Sequence, residues 1–265
     1  MYDFGYQRPK SLADAVSALK GDEEAKLMAG GQTLIPTLKQ RLAQPSAIVD
    51  LAALDELRGI REEGGALVIG AMTTHAEVAH SDLVKAKIPA LAALAEGIGD
   101  PQVRHRGTIG GSIANNDPAA DYPAGCLGLG ATIHTDQRQI PADDFFTGMF
   151  ETALEEGEIV TAVSFPLAEK AAYMKFPNPA SRYAIVGVLV AKTGGGVRVA
   201  VTGAASCVFR DGVIEEALSA SFSPDAISGS GAEVDELNSD IHASAEYRKH
   251  LIAVMAKRAA AAAAG

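Results

Sequence analysis

Cysteine and tryptophan are scarce in this chain, and their scarcity excludes two kinds of site. Only Cys126 and Cys207 occur, with no C-x-x-C pattern, and two thiols cannot supply the four thiolates of a usual iron–sulfur cluster. Tryptophan is missing, so platforms for stacking single-stranded nucleic acid are poorly supplied. The six histidines show neither H-x-H nor H-E-x-x-H spacing, and no metal site is expected.

Positive charge and long apolar runs are also in short supply. The chain has 23 Lys and Arg residues against 33 Asp and Glu, and its formal net charge of -10 repels nucleic acid. No apolar run reaches the roughly 18 to 20 residues needed to cross a bilayer. Residues 1–10 lack the apolar core of a signal peptide. We therefore expect no nucleic-acid partner, no membrane span and a cytoplasmic location.

Apolar spacing predicts short helices and strands over the first two thirds of the chain. Leu12, Ala15, Val16 and Leu19 follow a capping Ser11 at helical spacing, and a second helix is expected over Leu34–Leu42. Further helices are predicted over 74–80, 88–97 and 121–129, and strands over 26–28, 47–51, 66–70, 131–135 and 159–166. Residues 107–123 break every period, which favours turns and short strands over a helix.

The last third has a different pattern. Three strands are predicted over 184–192, 197–202 and 206–209, with the triple glycine Gly194–Gly196 as a hairpin turn. A helix over 213–220 and a C-terminal helix from about His242 follow. The order of elements predicts an α+β fold and not a regular βαβ alternation.

Two glycine-rich segments, LMAGGQTL (27–34) and TIGGSIANNDPAADYP (108–123), carry most of the functional information. A bound diphosphate needs several backbone N–H groups converging on one place, and glycine permits that close approach. Gly30, Gly31 and Thr33 sit where a strand runs into a helix. Gly110 and Gly111 are expected to supply a second set of amides, with hydroxyls from neighbouring Thr and Ser. For either glycine pair alone, an ordinary tight turn is the alternative.

Other nucleotide and nucleophile motifs are missing. The chain contains neither G-x-x-x-x-G-K-[ST] nor G-x-G-x-x-G, which excludes a Walker A loop and the usual Rossmann fingerprint. The GGSIA segment around Ser112 has alanine where a nucleophile elbow needs glycine. Two glycine loops without a P-loop lysine suit the pyrophosphate of a dinucleotide better than a nucleoside triphosphate.

The two glycine-rich segments, with their flanking residues, resemble those of a known family. AGGQTLIPTLKQRL, followed later by RGTIGGSIANNDPAADYPA, is similar to the medium, FAD-binding subunit of the carbon monoxide dehydrogenase and xanthine dehydrogenase family, the molybdenum hydroxylases. The resemblance covers nearly the whole chain and includes FGYQRPKSLADAV, VIGAMTTHAEV, FFTGMFETALEEGEIVTAVSFP, YMKFPNPASRYAIVGVLVAK and ASAEYRKHLIAVMAKRA.

The resemblance implies a two-lobed PCMH-type FAD-binding domain, with lobes over 1–55 and 56–168. A small C-terminal domain of antiparallel sheet plus helices would follow over 169–265. The implied cofactor is FAD, and the implied partners are a molybdopterin-containing large subunit and a small subunit with [2Fe–2S] clusters. The flavin would pass electrons from those clusters to an acceptor such as NAD, oxygen or a quinone.

The resemblance also implies a cofactor site but no catalytic acid or base. One diphosphate loop would comprise Ala29, Gly30, Gly31, Gln32, Thr33 and Leu34, and the other Thr108, Ile109, Gly110, Gly111 and Ser112. Around the flavin, Ile98 and Val103 would line the cavity, and Asn115 and Asp121 would lie near the ribityl chain or ring. Ile159 or Val160 would pack near the adenine or the cavity wall. Lys175 would lie near the flavin, and Tyr183 would lie beside the isoalloxazine ring.

Three of these residues have simpler roles as alternatives. The alternative role of Asp121 is to cap the following helix. The alternative for Lys175 is a solvated position on a strand, and the alternative for Tyr183 is to fill the core. The chain also departs from the family pattern at Ser181-Arg182, where many relatives have Gly-Asp, and this leaves the acceptor open. It lacks the cysteine-bearing insertion that holds an additional [4Fe–4S] cluster in some relatives, so that variant is excluded.

Two other functions stay open at this stage. A stand-alone flavoprotein of the same superfamily would oxidise a small substrate directly, without partners. The chain would instead be a non-catalytic interaction subunit if its glycine loops are vestigial and bind no nucleotide. Electron relay is favoured because the C-terminal hundred residues, roughly, lack an obvious His/Tyr/Arg substrate constellation.

Overall fold

The N-terminal part of the protein is built on a three-stranded parallel sheet. The computed structural model describes all residues, 1–265. The sheet has the order β1-β3-β2, and every residue of the central strand β3 is buried. Two helices accompany it, and two single 3₁₀ turns, Leu51–Ala53 and Asp55–Leu57, lead out of it. The elements are β1 (Gly5–Gln7), α1 (Leu12–Lys20), β2 (Lys26–Met28), α2 (Leu34–Lys39) and β3 (Ala47–Asp50).

The capping signals in this part act as the sequence predicts, but the second helix is shorter. The Ser11 hydroxyl accepts a hydrogen bond from the amide of Asp14 and starts α1. Helix α2 ends at Lys39, since Arg41 takes a left-handed conformation with φ of 60°. Leu42, expected to continue the apolar face of α2, is 74% exposed.

The middle of the chain forms a five-stranded antiparallel sheet covered by helices. Its strand order is β4-β5-β10-β6-β7, and a two-stranded ribbon, β8-β9, lies outside it. The strands are β4 (Ile60–Glu63), β5 (Ala66–Gly70), β6 (Thr132–Thr135), β7 (Gln139–Pro141), β8 (Phe146–Gly148), β9 (Glu151–Thr152) and β10 (Val160–Pro166). The helices are α3 (His75–His80), α4 (Asp82–Lys87), α5 (Pro89–Glu96), α6 (Pro101–Arg104), α7 (Ile109–Asn115), α8 (Tyr122–Leu129) and α9 (Ala142–Phe145).

Helix α7 occupies Ile109–Asn115, so the prediction of turns and short strands was wrong for that part of residues 107–123, while residues 116–121 form turns as expected. The Thr108 hydroxyl caps the helix by accepting from Gly111 N. The amides of Ile109 and Gly110 donate to the carbonyls of Thr73 and Ala71. Tertiary hydrogen bonds therefore offset the low helix propensity of two consecutive glycines, which costs about 1 kcal/mol for each glycine.

The last third forms a four-stranded antiparallel sheet of order β11-β12-β13-β14. Strand β11 is not among the strands predicted from periodicity, β14 is shorter than the predicted strand, and α11 starts later than predicted because Ser244 caps it. Two 3₁₀ turns, Pro224–Ala226 and Val234–Glu236, lie before α11. The elements are β11 (Lys170–Pro177), β12 (Ala184–Thr193), β13 (Gly196–Thr202), β14 (Phe209–Arg210), α10 (Gly212–Ala220) and α11 (Ala245–Ala264).

The middle and last parts share one hydrophobic core. Leu189, Ala191 and Ala200 of the four-stranded sheet belong to the same buried cluster as Leu67 and Ile133 of the five-stranded sheet. The α+β class is confirmed, while the proposed boundaries near residues 55 and 168 stay predictions. No helix of the protein combines the length and the apolar character needed to span a membrane.

Candidate functional site

The first glycine loop presents a run of free backbone donors. It follows β2, and Gly31 adopts a φ of 73°, a conformation that favours glycine. The amides of residues 30–34 have no hydrogen-bond acceptor within the chain. Consecutive free N–H groups at such a turn form a cradle for an anion. This segment contains Ala29, Gly30, Gly31, Gln32, Thr33 and Leu34, the predicted first diphosphate loop.

The two glycine loops lie against one another. A Cβ atom on Gly30 would overlap the carbonyl oxygen of Arg106 and come within 2.8 Å of the Cα of Gly107. A Cβ atom on Gly111 would lie 3.4 Å from the Cβ of Ala29. The absence of a side chain on Gly30 is thus what lets the two backbones meet, as a shared diphosphate crevice requires.

The second loop differs from the sequence expectation in one respect. Gly110 N donates to the Ala71 carbonyl at 2.9 Å, and Gly111 N donates to the Thr108 hydroxyl at 3.2 Å. These two amides are already paired and do not form a second free cradle. Gly110 instead lets α7 pack on Ala71, where a Cβ would approach to 2.5 Å. Ile109 is fully buried, and Ser112 is half-buried in the first turns of the same helix.

A buried ion pair forms the second part of the site. Asp121 is 4% exposed, and its carboxylate accepts from the Lys175 ammonium at 3.0 Å and from the Tyr173 hydroxyl. Burial raises the pKa of Asp121 above its usual range, and Lys175 and Tyr173 oppose that rise. The Asp121 side chain does not cap α8, which excludes the alternative role. Lys175 is also not solvated, since its side chain is 10% exposed.

Three cations hold the turn that follows α5, where Ile98 lies. Lys175 donates to the Gly97 carbonyl at 2.8 Å, and Arg104 donates to the carbonyls of Ile98 and Gly99 at 3.0 and 3.2 Å. Arg182 reaches the Gly99 carbonyl at 3.4 Å from the last part of the chain. The cationic donors thus satisfy the carbonyls of the turn after α5, while the amides of Gly97 and Ile98 pair with the last carbonyls of the helix.

Val103 connects this turn to the glycine loops. Its carbonyl accepts from Gly107 N at 2.7 Å, and its side chain lies 3.1 Å from where a Cβ on Gly99 would be. Tyr183 is 46% exposed and is no core filler. Burial raises the pKa of its hydroxyl, and the charges of Asp117 and Asp121 add to that rise.

The remaining predicted residues are less directly connected to the loops. Asn115 ends α7 and is half-buried, while the adjacent Asn116 is buried and donates to the carbonyls of Gly148 and Glu151. Ile159 is 1% exposed and belongs to the apolar cluster on which Ala29 packs. Val160 belongs to the larger core of the five-stranded sheet.

Three residues that sequence reasoning did not assign to the site lie beside it. Gly107 is needed because a Cβ there would meet the imidazole of His75 at 2.5 Å. His75 is buried, and burial together with the charge of Arg104 lowers its pKa to about 4, which keeps it neutral at pH 7. Tyr173 had a usable signal: it precedes Lys175 by two positions, which places both on one face of a strand.

These features define a dinucleotide-binding α+β protein, and the comparisons with known proteins specify it further. Residues 2–168 match the family model described as the FAD binding domain in molybdopterin dehydrogenase. The carbon monoxide dehydrogenase medium chain of Hydrogenophaga pseudoflava is 38% identical, covering 97% of this chain and 95% of that one. The nicotine 6-hydroxylase medium subunit of Paenarthrobacter nicotinovorans is 37% identical, covering 96% and 94%.

A solved structure agrees with the sequence relatives. The reconstituted CO dehydrogenase from Oligotropha carboxidovorans superposes with a TM-score of 0.90 at 36% identity, covering 99% of this chain and 98% of that chain. The chain belongs to the family of FAD-binding subunits of molybdopterin dehydrogenases. Its cofactor is FAD, and it is a subunit of an oxidoreductase.

Proposed function

We propose that this chain is the electron-relay subunit of a molybdenum hydroxylase complex. FAD supplies chemistry that accepts electrons singly or in pairs and releases them to an acceptor. The protein's own residues bind and orient the cofactor, and none of them is assigned as a general acid or base. The observation that carries the proposal is the apposition of the two glycine loops beside five unpaired amides.

In this proposal the amides of residues 30–34 hold the diphosphate of FAD. Thr108, Ile109, Gly110, Gly111 and Ser112 form the opposing wall, with the Ser112 hydroxyl as a polar contact. Ile159 and Val160 support the wall from beneath through the apolar cores that contain them. The fit rests on Gly30, where a Cβ would overlap the backbone of the second loop and push the two loops apart.

The flavin ring would lie near the Asp121–Lys175 pair, with Ile98 and Val103 as apolar walls, Asn115 near the ribityl chain and Tyr183 beside the ring. A buried ammonium stabilises negative charge on a neighbouring group because the local dielectric constant is low. Lys175 is therefore assigned the role of favouring the reduced, anionic cofactor. Asp121 holds that ammonium in place, and Tyr173 holds Asp121.

The partners belong to the same proposal. Relatives are named as medium chains of carbon monoxide dehydrogenase and as a nicotine 6-hydroxylase medium subunit, which supports a complex with other chains. We infer a molybdopterin-containing large subunit that oxidises the substrate and a small subunit with [2Fe–2S] clusters that feeds the flavin. A cytoplasmic location stays a prediction.

Affinity purification from the native host, with an inventory of metals and cofactors, tests the relay. We expect stoichiometric FAD on this chain, and molybdenum and iron on co-purifying chains. Substrate should bleach the flavin in the complex and leave the isolated, FAD-loaded chain unchanged. Bleaching of the isolated chain by the same substrate would instead establish a stand-alone oxidoreductase, and a chain that takes up no FAD would refute both.

A further inference from the structure

A cavity of about 830 Å³ lies in the last third of the chain, and none of the residues proposed to hold FAD lines it. Residues 205–210 form one side of it. The start of α10 and the segments 231–232 and 236–237 form the other sides. We call it the β14 groove, because β14 lies within its first side.

The 205–210 side of the groove is an open sheet edge. β14 is the last strand of the order β11-β12-β13-β14. Asp211 N donates to the Val199 carbonyl at 3.0 Å, so the alternation of an antiparallel pair directs the N–H and C=O groups of Arg210 away from β13. The backbone N–H and C=O groups of residues 206–208 have no backbone hydrogen-bond partner within the chain. Such an edge is able to accept an added strand.

The other sides of the groove are held by hydrogen bonds of the fold. Asp211 is 3% exposed and accepts from the Ser230 hydroxyl at 2.6 Å and from Gly231 N at 3.1 Å, which ties this segment to the start of α10. Asn238 donates from its side chain to the Ala205 carbonyl at 2.8 Å. The pairing of segment 237–238 with the edge stops at Ala205, so residues 206–208 keep their free backbone groups. A preformed groove lowers the entropy cost of binding a segment.

Apolar side chains line the groove beside the open edge. Val208 and Leu237 are buried and Phe209 is half-buried, whereas Val213, on α10, is 52% exposed. Covering the exposed surface of Val213 with another apolar group is favourable. The lining therefore suits an occupant with apolar side chains.

The charge of the groove is negative. Glu216 and Glu236 line it, are exposed and, unlike Glu215, make no ion pair. Arg210, the one cation in the lining, already pairs with Asp143 at 3.3 Å and with Glu215 at 2.7 Å. The two unpaired carboxylates attract Lys or Arg side chains and repel an acidic segment.

We propose that the β14 groove binds an extended segment of a partner subunit, which adds to β14 as a further strand and carries both apolar and basic side chains. The free N–H and C=O groups of residues 206–208 and of Arg210 pair with the main chain of that segment. Its apolar side chains cover Val213, and its Lys or Arg pairs with Glu216 or Glu236. This inference rests on the proposed function, because that function places the chain in a complex, and it specifies a surface through which the complex is assembled.

Amide hydrogen exchange, followed by mass spectrometry in the full-length chain alone and in the purified complex, tests the added strand. Hydrogen-bonded amides exchange more slowly than free ones, so exchange at residues 206–208 should slow by at least about tenfold in the complex. Gly64 and Gly65, in the exposed turn between β4 and β5, provide the reference for free amides. Exchange at residues 206–208 that is equally fast in both samples would overturn the proposal.

Charge reversal tests the chemistry of the occupant. Combining Glu216→Lys with Glu236→Lys should raise the Kd for assembly about tenfold or more, because both sites would then repel a basic segment. The effect should shrink at about 1 M NaCl. Asp235→Lys is the matched control, since Asp235 is exposed and adjacent to Glu236 but lies outside the groove, and it should leave the Kd unchanged.

Dilution of the purified complexes, followed by mass photometry, measures the Kd of each variant. The midpoint of thermal unfolding and the FAD content of the doubly reversed chain should match the wild type, because both acids are exposed and unpaired. A doubly reversed chain that assembles as tightly as Asp235→Lys would overturn the proposal.

Failure of the proposed function is distinguishable from failure of this inference. If no partner subunit co-purifies with the chain, both are refuted. A complex that forms and reduces its flavin with substrate, but in which residues 206–208 exchange freely, would refute the docking role of the β14 groove alone.

Discussion

Gly30 tolerates no side chain because the backbone of the second glycine segment occupies the space a Cβ would need. The atoms it would meet are the backbone of Arg106 and Gly107, which cannot swing away as a flexible side chain does. Gly111 is less constrained, since its nearest atoms are the Thr108 hydroxyl at 3.0 Å and the Ala29 methyl at 3.4 Å. The two predicted loops therefore differ in how strictly they need glycine.

Replacing Gly30→Ala should separate the two loops. We expect a loss of stability of about 1 to 3 kcal/mol, typical of overpacking, and a loss of most bound FAD. The midpoint of thermal unfolding and the flavin absorbance per chain measure the two effects. Gly194→Ala is the control, because a Cβ there meets nothing within 4 Å; equal FAD content in both variants would refute the assigned role of the loop.

Replacing Lys175→Met should leave the carboxylate of Asp121 buried without its cation. Removing one partner of a buried pair costs about 3 to 5 kcal/mol, and urea unfolding at pH 8 measures it. Burial already raises the pKa of Asp121, and losing Lys175 raises it further. The loss of stability arises only when Asp121 is ionised. It therefore reaches its full size above the folded-state pKa of Asp121 and becomes smaller as the pH falls through that pKa.

A surface pair provides the comparison for that change. Lys192 lies 3.1 Å from Glu169, with both side chains about half exposed. Lys192→Met should change stability by less than about 1 kcal/mol. A Lys175→Met variant that behaved like Lys192→Met, at pH 8 as well as at pH 5, would show that the Asp121 pair is not structurally important.

At the scale of the element, α7 and the turn before it show how local propensity is overruled. The glycines and asparagines of residues 107–116 favour turns. Pairing of the amides of Ile109 and Gly110 with the carbonyls of Thr73 and Ala71, just after β5, stabilises a helix instead. The left-handed Asn116, with φ of 42°, then ends the helix. The asparagines thus mark the end of the helix.

The β6–β7 turn gives a pH prediction at the same scale. Glu158 is fully buried as a side chain, and its hydrogen bonds with Arg138 lower its pKa to about 2. Replacing Glu158→Gln should cost about 1 to 3 kcal/mol at pH 7, since each unit of pKa shift is worth about 1.4 kcal/mol and Arg138 is partly solvated. Because folding lowers the pKa of Glu158, its ionised carboxylate stabilises the folded protein fully above the unfolded-state pKa of about 4.3. That stabilisation is lost as the pH falls toward 2.

Urea unfolding of the wild type and of Glu158→Gln between pH 7 and pH 3 measures this effect. The difference between them should narrow below about pH 4. Glu155 is the control, because it lies 3.6 Å from the same arginine but is 69% exposed. Glu155→Gln should change stability by less than about 1 kcal/mol at every pH. A stability difference between the wild type and Glu158→Gln that stays constant down to pH 3 would contradict a lowered pKa of Glu158.

At the scale of the whole molecule, the last third of the chain completes the site. Lys175 and Tyr183 come from β11 and the turn after it, whereas Asp121 and the glycine loops come from the first two thirds. Leu189 and Ala200 also fill the core under α8, where a Cβ on Gly128 would meet Leu189 at 2.5 Å. The match to the family model ends at residue 168, but the hydrophobic core of the FAD-binding part includes residues from the last third of the chain.

A fragment of residues 1–168 should therefore fail to fold as a stable FAD-binding unit. It would expose the apolar surface under α8 and leave Asp121 without Lys175. We expect a broad, noncooperative thermal transition, increased binding of a hydrophobic dye and no retained flavin, against a cooperative transition for the full chain. A fragment that unfolds cooperatively and holds FAD would show that the first two lobes are self-sufficient.

The sequence by itself determined the α+β class, the family and the two glycine segments, because these depend on local patterns and on motifs that lie close together in the chain. Only the tertiary structure decided that α7 is a helix, that Gly110 and Gly111 have no free amides, and that Lys175 and Asp121 form a buried pair. Except for the pairing of Gly111 N with the nearby Thr108 hydroxyl, each of these facts depends on a contact between residues far apart in sequence, and such contacts outweigh local propensity by supplying hydrogen bonds and burial. The periodicity of a segment does not reveal which distant residue will meet it.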